Sequence, residues 1–180
     1  GQQITYQFRT FIKGTDYTGL MNSLLTRVTI AGFRLAVDGS YLSSSSPLIN
    51  TGFIRSASDL SRPVGGIIVG ARYEQERNRL MNADNDSLQS NSFSFDAGKF
   101  YIRSADTAKV KFRLDYSRRF DYGVSGDDFK KTTEADDASA LLEFSGNPKS
   151  RLTFSSSFRN LEITDTILSL QQPEKSLLNR

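Results

Sequence analysis

The segment Lys109-Val110-Lys111-Phe112-Arg113-Leu114-Asp115-Tyr116-Ser117 alternates between polar and apolar residues without a break. Successive side chains of a β-strand point to opposite faces. Val110, Phe112, Leu114 and Tyr116 would therefore share one face, and Lys109, Lys111, Arg113 and Asp115 the other. A helix, with its 3.6-residue period, would scatter the charges around its circumference. The segment predicts a strand that is apolar on one face and strongly charged on the other.

Working outward, the same pattern recurs. Phe33, Leu35, Val37 and Tyr41 alternate with Arg34, Asp38 and Ser40; Ile67, Val69, Ala71 and Tyr73 oppose Arg72 and Glu74. Leu152, Phe154 and Phe158 oppose Arg151, Thr153, Ser155 and Arg159. Ile4, Tyr6, Phe8 and Ile12 oppose Thr5, Gln7 and Arg9, and Ala138, Ala140, Leu142 and Phe144 oppose Ser139, Glu143 and Ser145. Phe93 and Phe95 open a further strand in which the apolar phase changes before Phe100 and Ile102. One inserted residue resets alternation, so a β-bulge is expected at Ala97-Gly98-Lys99. Residues 53–62 mix both faces and are a strand by position. Residues 20–30 fit a strand, but Leu20, Met21, Leu24, Leu25 and Val28 also fit a helical stripe with Thr18 as N-cap. The β-branched Thr26, Val28, Thr29 and Ile30 favour the strand.

The links between strands alternate in length. Ala31-Gly32, Pro63-Val64-Gly65, residues 104–107 and residues 146–149 carry turn chemistry and are short. Residues 13–19, 42–52, 79–91 and 121–137 are longer and polar.

These features predict an all-β fold, an antiparallel meander of long amphipathic strands forming part of a transmembrane β-barrel. Strands of about eleven residues at roughly 3.3 Å each, tilted near 45°, span about 25 Å, the height of the apolar band of such barrels. Short turns on one rim and long loops on the other complete that topology. The polar faces would place Arg34, Arg72, Glu74, Lys109, Lys111, Arg113, Arg151 and Arg159 toward a wet lumen. Tyr6, Tyr41, Tyr73, Tyr101 and Tyr116 are candidates for an interfacial girdle, although tyrosine is common in strands generally and the chain has no Trp. The alternative is a soluble all-β binding or adhesion module whose apolar faces pack between two sheets.

Composition narrows the chemistry. The 180 residues are 37% hydrophobic and 24% charged, with a net charge of +3, values that suit a folded domain. There is no Cys and no His, which removes disulfides, thiolate chemistry, zinc–thiolate sites and Ser-His or Cys-His catalysis. No apolar run approaches the 18 or so residues of a transmembrane helix. Glu74 and Glu76 share a strand face but read as lumen charges beside Arg72 rather than as an acid pair. Asp127, Asp128, Glu134, Asp136 and Asp137 lack the EF-hand spacing and read as a solvated acidic loop beside Lys130 and Lys131. Gly65-Gly66 is a turn and not a phosphate loop. The ladder Lys109, Lys111 and Arg113 would line a path for anions or hold an acidic plug, or form a polar wall balanced by Asp115, Glu143 and Asp96. Its aromatics lie on the opposite face, which argues against nucleic acid. No catalytic residue, metal ligand or cofactor is expected.

The run Arg151-Leu152-Thr153-Phe154 to Phe158-Arg159-Asn160-Leu161, followed by Thr164-Asp165-Thr166, Gln172-Pro173-Glu174 and Leu177-Leu178-Asn179-Arg180, resembles hairpins of large Bacteroidota-type outer-membrane β-barrel proteins. The strand Gly70-Ala71-Arg72-Tyr73-Glu74-Gln75-Glu76 is similar in style. The resemblance implies a bacterial outer-membrane location, a structural, transport or secretion role, and no particular substrate. Nine strands are expected, with residues 171–180 entering a tenth. An odd count leaves unpaired edges, so residues 1–180 are expected to be one segment of a larger barrel. The partners would be the lipid bilayer or lipopolysaccharide, and the remaining barrel or partner subunits.

Overall fold

Every alternating segment becomes a strand of one antiparallel sheet. The computed structural model describes residues 2–12, 18–89, 91–105, 110–147, 150–164 and 174–179, with side chains for all of these except 11–12, 145–147, 150–151 and 174–179. Nine long strands, β1 (Gln2–Ile12), β2 (Thr18–Ile30), β3 (Phe33–Ser45), β4 (Ile49–Val64), β5 (Ile67–Asn82), β6 (Phe93–Ser104), β7 (Val110–Ser125), β8 (Asp128–Asn147) and β9 (Ser150–Ile163), are followed by a short β10 (Glu174–Asn179). Each strand pairs with its neighbours in sequence, and the sheet does not close: among the described residues β1 pairs only with β2 and β10 only with β9. The ambiguous residues 20–30 lie in β2, so β-branching prevails over the helical stripe.

The expected connections need correcting in one direction: the strands run further than the apolar pattern. Residues 42–52 are no long loop, because β3 and β4 extend to a three-residue turn at 46–48. Residues 121–137 are no loop either. β7 and β8 continue to a tight turn at Gly126-Asp127, where Gly126 has a φ of 67°. The link at 79–91 shrinks to the segment between Asn82 and Phe93, with an isolated bridge between Met81 and Leu88. Pro63 and Val64 belong to β4, and the turn is Gly65-Gly66, with φ of 55° and 93°. Positive φ at both central residues matches the right-handed twist of the flanking strands. Residues 13–17, 106–109 and 148–149 lie outside the described residues.

The bulge expected at Ala97-Gly98-Lys99 is absent. β6 pairs with β5 residue for residue through Glu74↔Ala97, Tyr73↔Gly98 and Arg72↔Lys99. Phe93 and Phe95 instead lie on the charged face and Asp96 on the apolar one, so the surroundings change while the backbone does not. Register shifts fall elsewhere, between Asp121 and Tyr122 against Thr133 and Lys131, and between Ser145 and Asn147.

The Ala31-Gly32 turn also has positive φ twice, 49° and 80°. Ala is strained there by its Cβ, whereas Asn is tolerated. Ala31→Asn should raise stability by about 0.5–1 kcal/mol, measured as a higher urea midpoint at unchanged slope. An unchanged or lowered midpoint would contradict the turn geometry.

The register forms a staircase. One row of paired residues runs Leu35, Leu60, Ala71, Phe100, Tyr116, Ala138, Phe158. Leu35 is two residues from the start of β3 at Phe33, Ala71 four from Ile67, Tyr116 six from Val110, and Phe158 eight from Ser150. The rim that carries the Ala31-Gly32 and Gly65-Gly66 turns thus shifts by about one residue per strand, which against the ~4.8 Å strand spacing is a tilt of roughly 35°.

Candidate functional site

The register assigns every side chain to one of two faces. The apolar face carries Phe33, Leu35, Val37, Leu114, Leu142 and Phe154 in continuous rows. It has no cover. Ile4 is 69% exposed and Phe154 73%, and among the described residues only Ile68 and Phe95 are buried hydrophobics. The apolar residues follow the staircase. They begin at the short turns and end on an aromatic residue: Phe33 to Tyr41 on β3, Ile67 to Tyr73 on β5, Val110 to Tyr116 on β7, Leu152 to Phe158 on β9. The result is a band seven to nine residues wide, about 20–25 Å at that tilt, lying parallel to the turn rim. On β4 it is interrupted by Ser56 and Ser58, and at its lower edge Arg62 lies over the Phe33 ring at 4.8 Å.

Tyrosine hydroxyls on this face reach one row further from the turns, those of Tyr73 and Tyr116 at the far edge of the band. Tyr6 donates to Asn22 (2.8 Å), Tyr73 to Asp96 (3.0 Å) and Tyr116 to Asp136 (2.7 Å). Beyond Tyr73 and Tyr116 the face mixes charged and aromatic residues. Arg77 makes two bonds to Asp96 (2.9 and 2.8 Å) and one to the Phe95 carbonyl (2.9 Å). Arg118 pairs with Glu134, which also accepts from Lys131 (2.8 Å). Arg77 lies over Tyr122, Arg79 over Phe129, and both Arg118 and Lys131 over Phe120.

Tyr101 departs from the expected girdle. It lies on the charged face, as the alternation of Phe100 and Ile102 already implies, and its hydroxyl donates to Asp59 (2.9 Å). To reach β4 from β6 it crosses β5 over Gly70, where a Cβ would overlap its ring. Gly70→Val should displace the ring and cost about 1–2 kcal/mol, read from urea unfolding in detergent. Gly98→Ala, with nothing within 4 Å of the added carbon, should cost less than about 0.5 kcal/mol. Equal losses would refute the Tyr101 crossing.

Of the charges predicted to line a lumen, Arg72, Glu74, Lys111 and Arg113 do share the charged face. Lys109 lies outside the described residues, and the side chain of Arg151, a β9 residue, is likewise not described. Arg72 Nε donates to Glu74 (2.6 Å), and Arg113 Nε to Asp115 (2.6 Å), which also forms an ion pair with Lys99 (3.1 Å). Lys111 faces Glu143 across β7 and β8. Asp96 does not balance this ladder, because it sits on the other face with Arg77. Arg72, Glu74 and Arg113 line a concavity of about 470 Å³ that also includes Asp59, Lys99, Arg103 and Arg119. Lys99 was hidden by the expected bulge, and Arg119 lies past the alternating segment that ends at Ser117. The acidic residues of 121–137 do not converge: Glu134 and Asp136 lie on the apolar-face side and Asp137 on the charged face, bound by Arg159 (2.6 Å). Among the described residues no group of three or more acidic side chains is placed to hold a metal ion.

No protein-family model, curated protein or solved structure matches this chain.

Proposed function

We propose that this sheet is a stretch of the wall of a bacterial outer-membrane β-barrel, with its apolar face against lipid and its charged face toward an aqueous lumen. The single observation that supports it most is the apolar band that climbs the staircase. A bilayer is flat, so strands tilted through it must carry their apolar segments at one height and not at one register. Here the band keeps its width from the turn rim while the register slips by about one residue per strand. Side chains packed between two sheets have no reason to follow a plane set by the turns. The Tyr73 and Tyr116 hydroxyls at the band's upper edge fit the amphipathic level where lipid meets water. The charged face would be untenable against lipid and is at ease in water.

In this reading the partner of the apolar face is the lipid bilayer, with lipopolysaccharide on the outer leaflet. Among the described residues the outer edge of β1 has no neighbouring strand, and its backbone groups would cost several kcal/mol each in lipid. They therefore pair with further strands, from the rest of the same barrel or from partner subunits. The role is structural, transport or secretion, without catalysis.

Detergent dependence tests this. The purified chain should show a β-type far-ultraviolet spectrum and remain dispersed only with detergent or lipid. A monomeric, β-folded chain in plain buffer would overturn the proposal in favour of a soluble binding or adhesion module.

A further inference from the structure

We infer that the charged face binds a small multivalent oxyanion, of the phosphate or carboxylate class, in the concavity that spans β4 to β8. The inference rests on the barrel reading for the access of solutes to this face. Two independent features point to it. First, the register sets like charges directly opposite each other at the same concavity: Arg72 faces Lys99, and Arg103 faces Arg113. Directly opposed like charges repel; Glu74 and Asp115 offset part of this repulsion, and an anion between the cations adds further attraction.

Second, the ion pairs of this face are layered. Arg113 is 51% exposed over Asp115 at 12%, and Arg119 47% over Asp121 at 35%. The cation is likewise the more exposed partner in Arg72–Glu74, Lys99–Asp115 and Arg159–Asp137. The carboxylates lie close to the sheet and the cationic ends project into the space above it. Solutes therefore meet guanidinium and ammonium groups although the summed charge is nearly balanced. Arg113 meets its carboxylate through Nε and Arg119 through Nε and Nη2, an edge-on contact that leaves breadth of the five-donor fork for a second acceptor. Asp59, the carboxylate at the β4 side, is engaged by the Tyr101 hydroxyl. Inorganic pyrophosphate, with several oxygens on a compact frame, matches such spacing.

The test is calorimetric titration of inorganic pyrophosphate into the full chain folded in detergent at low salt. Saturable binding is expected. Arg72→Gln combined with Arg119→Gln should weaken it about tenfold or more, while Arg79→Gln, on the other face, should leave it unchanged. Should the double variant fail to fold, Lys99→Gln alone should weaken binding about threefold. A β-folded chain without saturable binding would overturn the inference. So would equal weakening by Arg79→Gln, or unchanged affinity in the folded Arg72/Arg119 or Lys99 variants. Failure of the barrel reading shows separately, as folding in plain buffer, and the same titration performed there still decides whether the concavity binds the anion.

Discussion

Leu114→Arg is expected to cost about 2–4 kcal/mol of folding free energy in lipid, the penalty of a cation near the middle of the bilayer. Leu114 stands between Val110 and Tyr116 on β7, paired with Ile102 and Ala140, and is 49% exposed on the apolar face. Two companions give the result its meaning. Lys111→Ala, three residues away on the charged face, should cost less than about 0.5 kcal/mol, because an exposed charge in water contributes little. Val110→Arg, beside the turn rim, should cost about 0–1 kcal/mol, because the penalty falls toward the interface. The measurement is urea-dependent folding into vesicles. Equal costs at Leu114 and Lys111 would reverse the face assignment. Equal costs at Leu114 and Val110 would remove the depth gradient that a bilayer imposes and a two-sheet core does not.

Where one face is apolar, the strand and its orientation are legible from the residues alone. Phe33, Leu35 and Val37, or Val110, Phe112 and Leu114, fix their faces by alternation, and the register keeps all six together. Legibility ends at the edge of the apolar band. Past Tyr116 the two faces of β7 carry Arg118, Phe120 and Tyr122 against Arg119 and Asp121. Both faces are polar or aromatic there, so nothing alternates and the strand resembles a loop. The same holds for residues 42–52, where serines occupy both faces of β3. The hairpins that close at 46–48 and at Gly126-Asp127 were hidden for that reason.

The apparent bulge in β6 has the same cause seen from the other side. Phe95 turns to the charged face, where the Arg119 guanidinium stacks on its ring at 4.0 Å, while Asp96 turns to the face that is apolar lower down. The alternation of hydrophobicity inverts because the band has been left, not because a residue was inserted. Pairing is less legible still. Alternation places a charge on a face but says nothing of which residue on the next strand lies opposite. The concavity needs β4 to β8 aligned in register before Asp59, Lys99 and Arg119 meet Arg72 and Arg113.

Arg77 follows from that lesson and is the position where removing one side chain should have the second large effect. It projects from β5 above the band, with a side chain 26% exposed, and clamps an Asp96 that is 18% exposed. Tyr73 and Gln75 also donate to Asp96, at 3.0 and 3.2 Å. Arg77→Ala leaves that largely covered carboxylate without its cation and strips a donor from the Phe95 carbonyl. Breaking a buried pair costs about 3–5 kcal/mol, and partial exposure reduces this to about 2–3 kcal/mol here. Removing both charges is expected to hurt less than removing one, because the main penalty is the stranded carboxylate rather than the lost attraction. Arg77→Met with Asp96→Leu should therefore recover at least about half of the Arg77→Ala loss. Urea unfolding of the single and double variants in detergent measures the difference. Strictly additive losses would mean that the two side chains stabilise the sheet independently, and that the clamp seen between β5 and β6 contributes nothing as a pair.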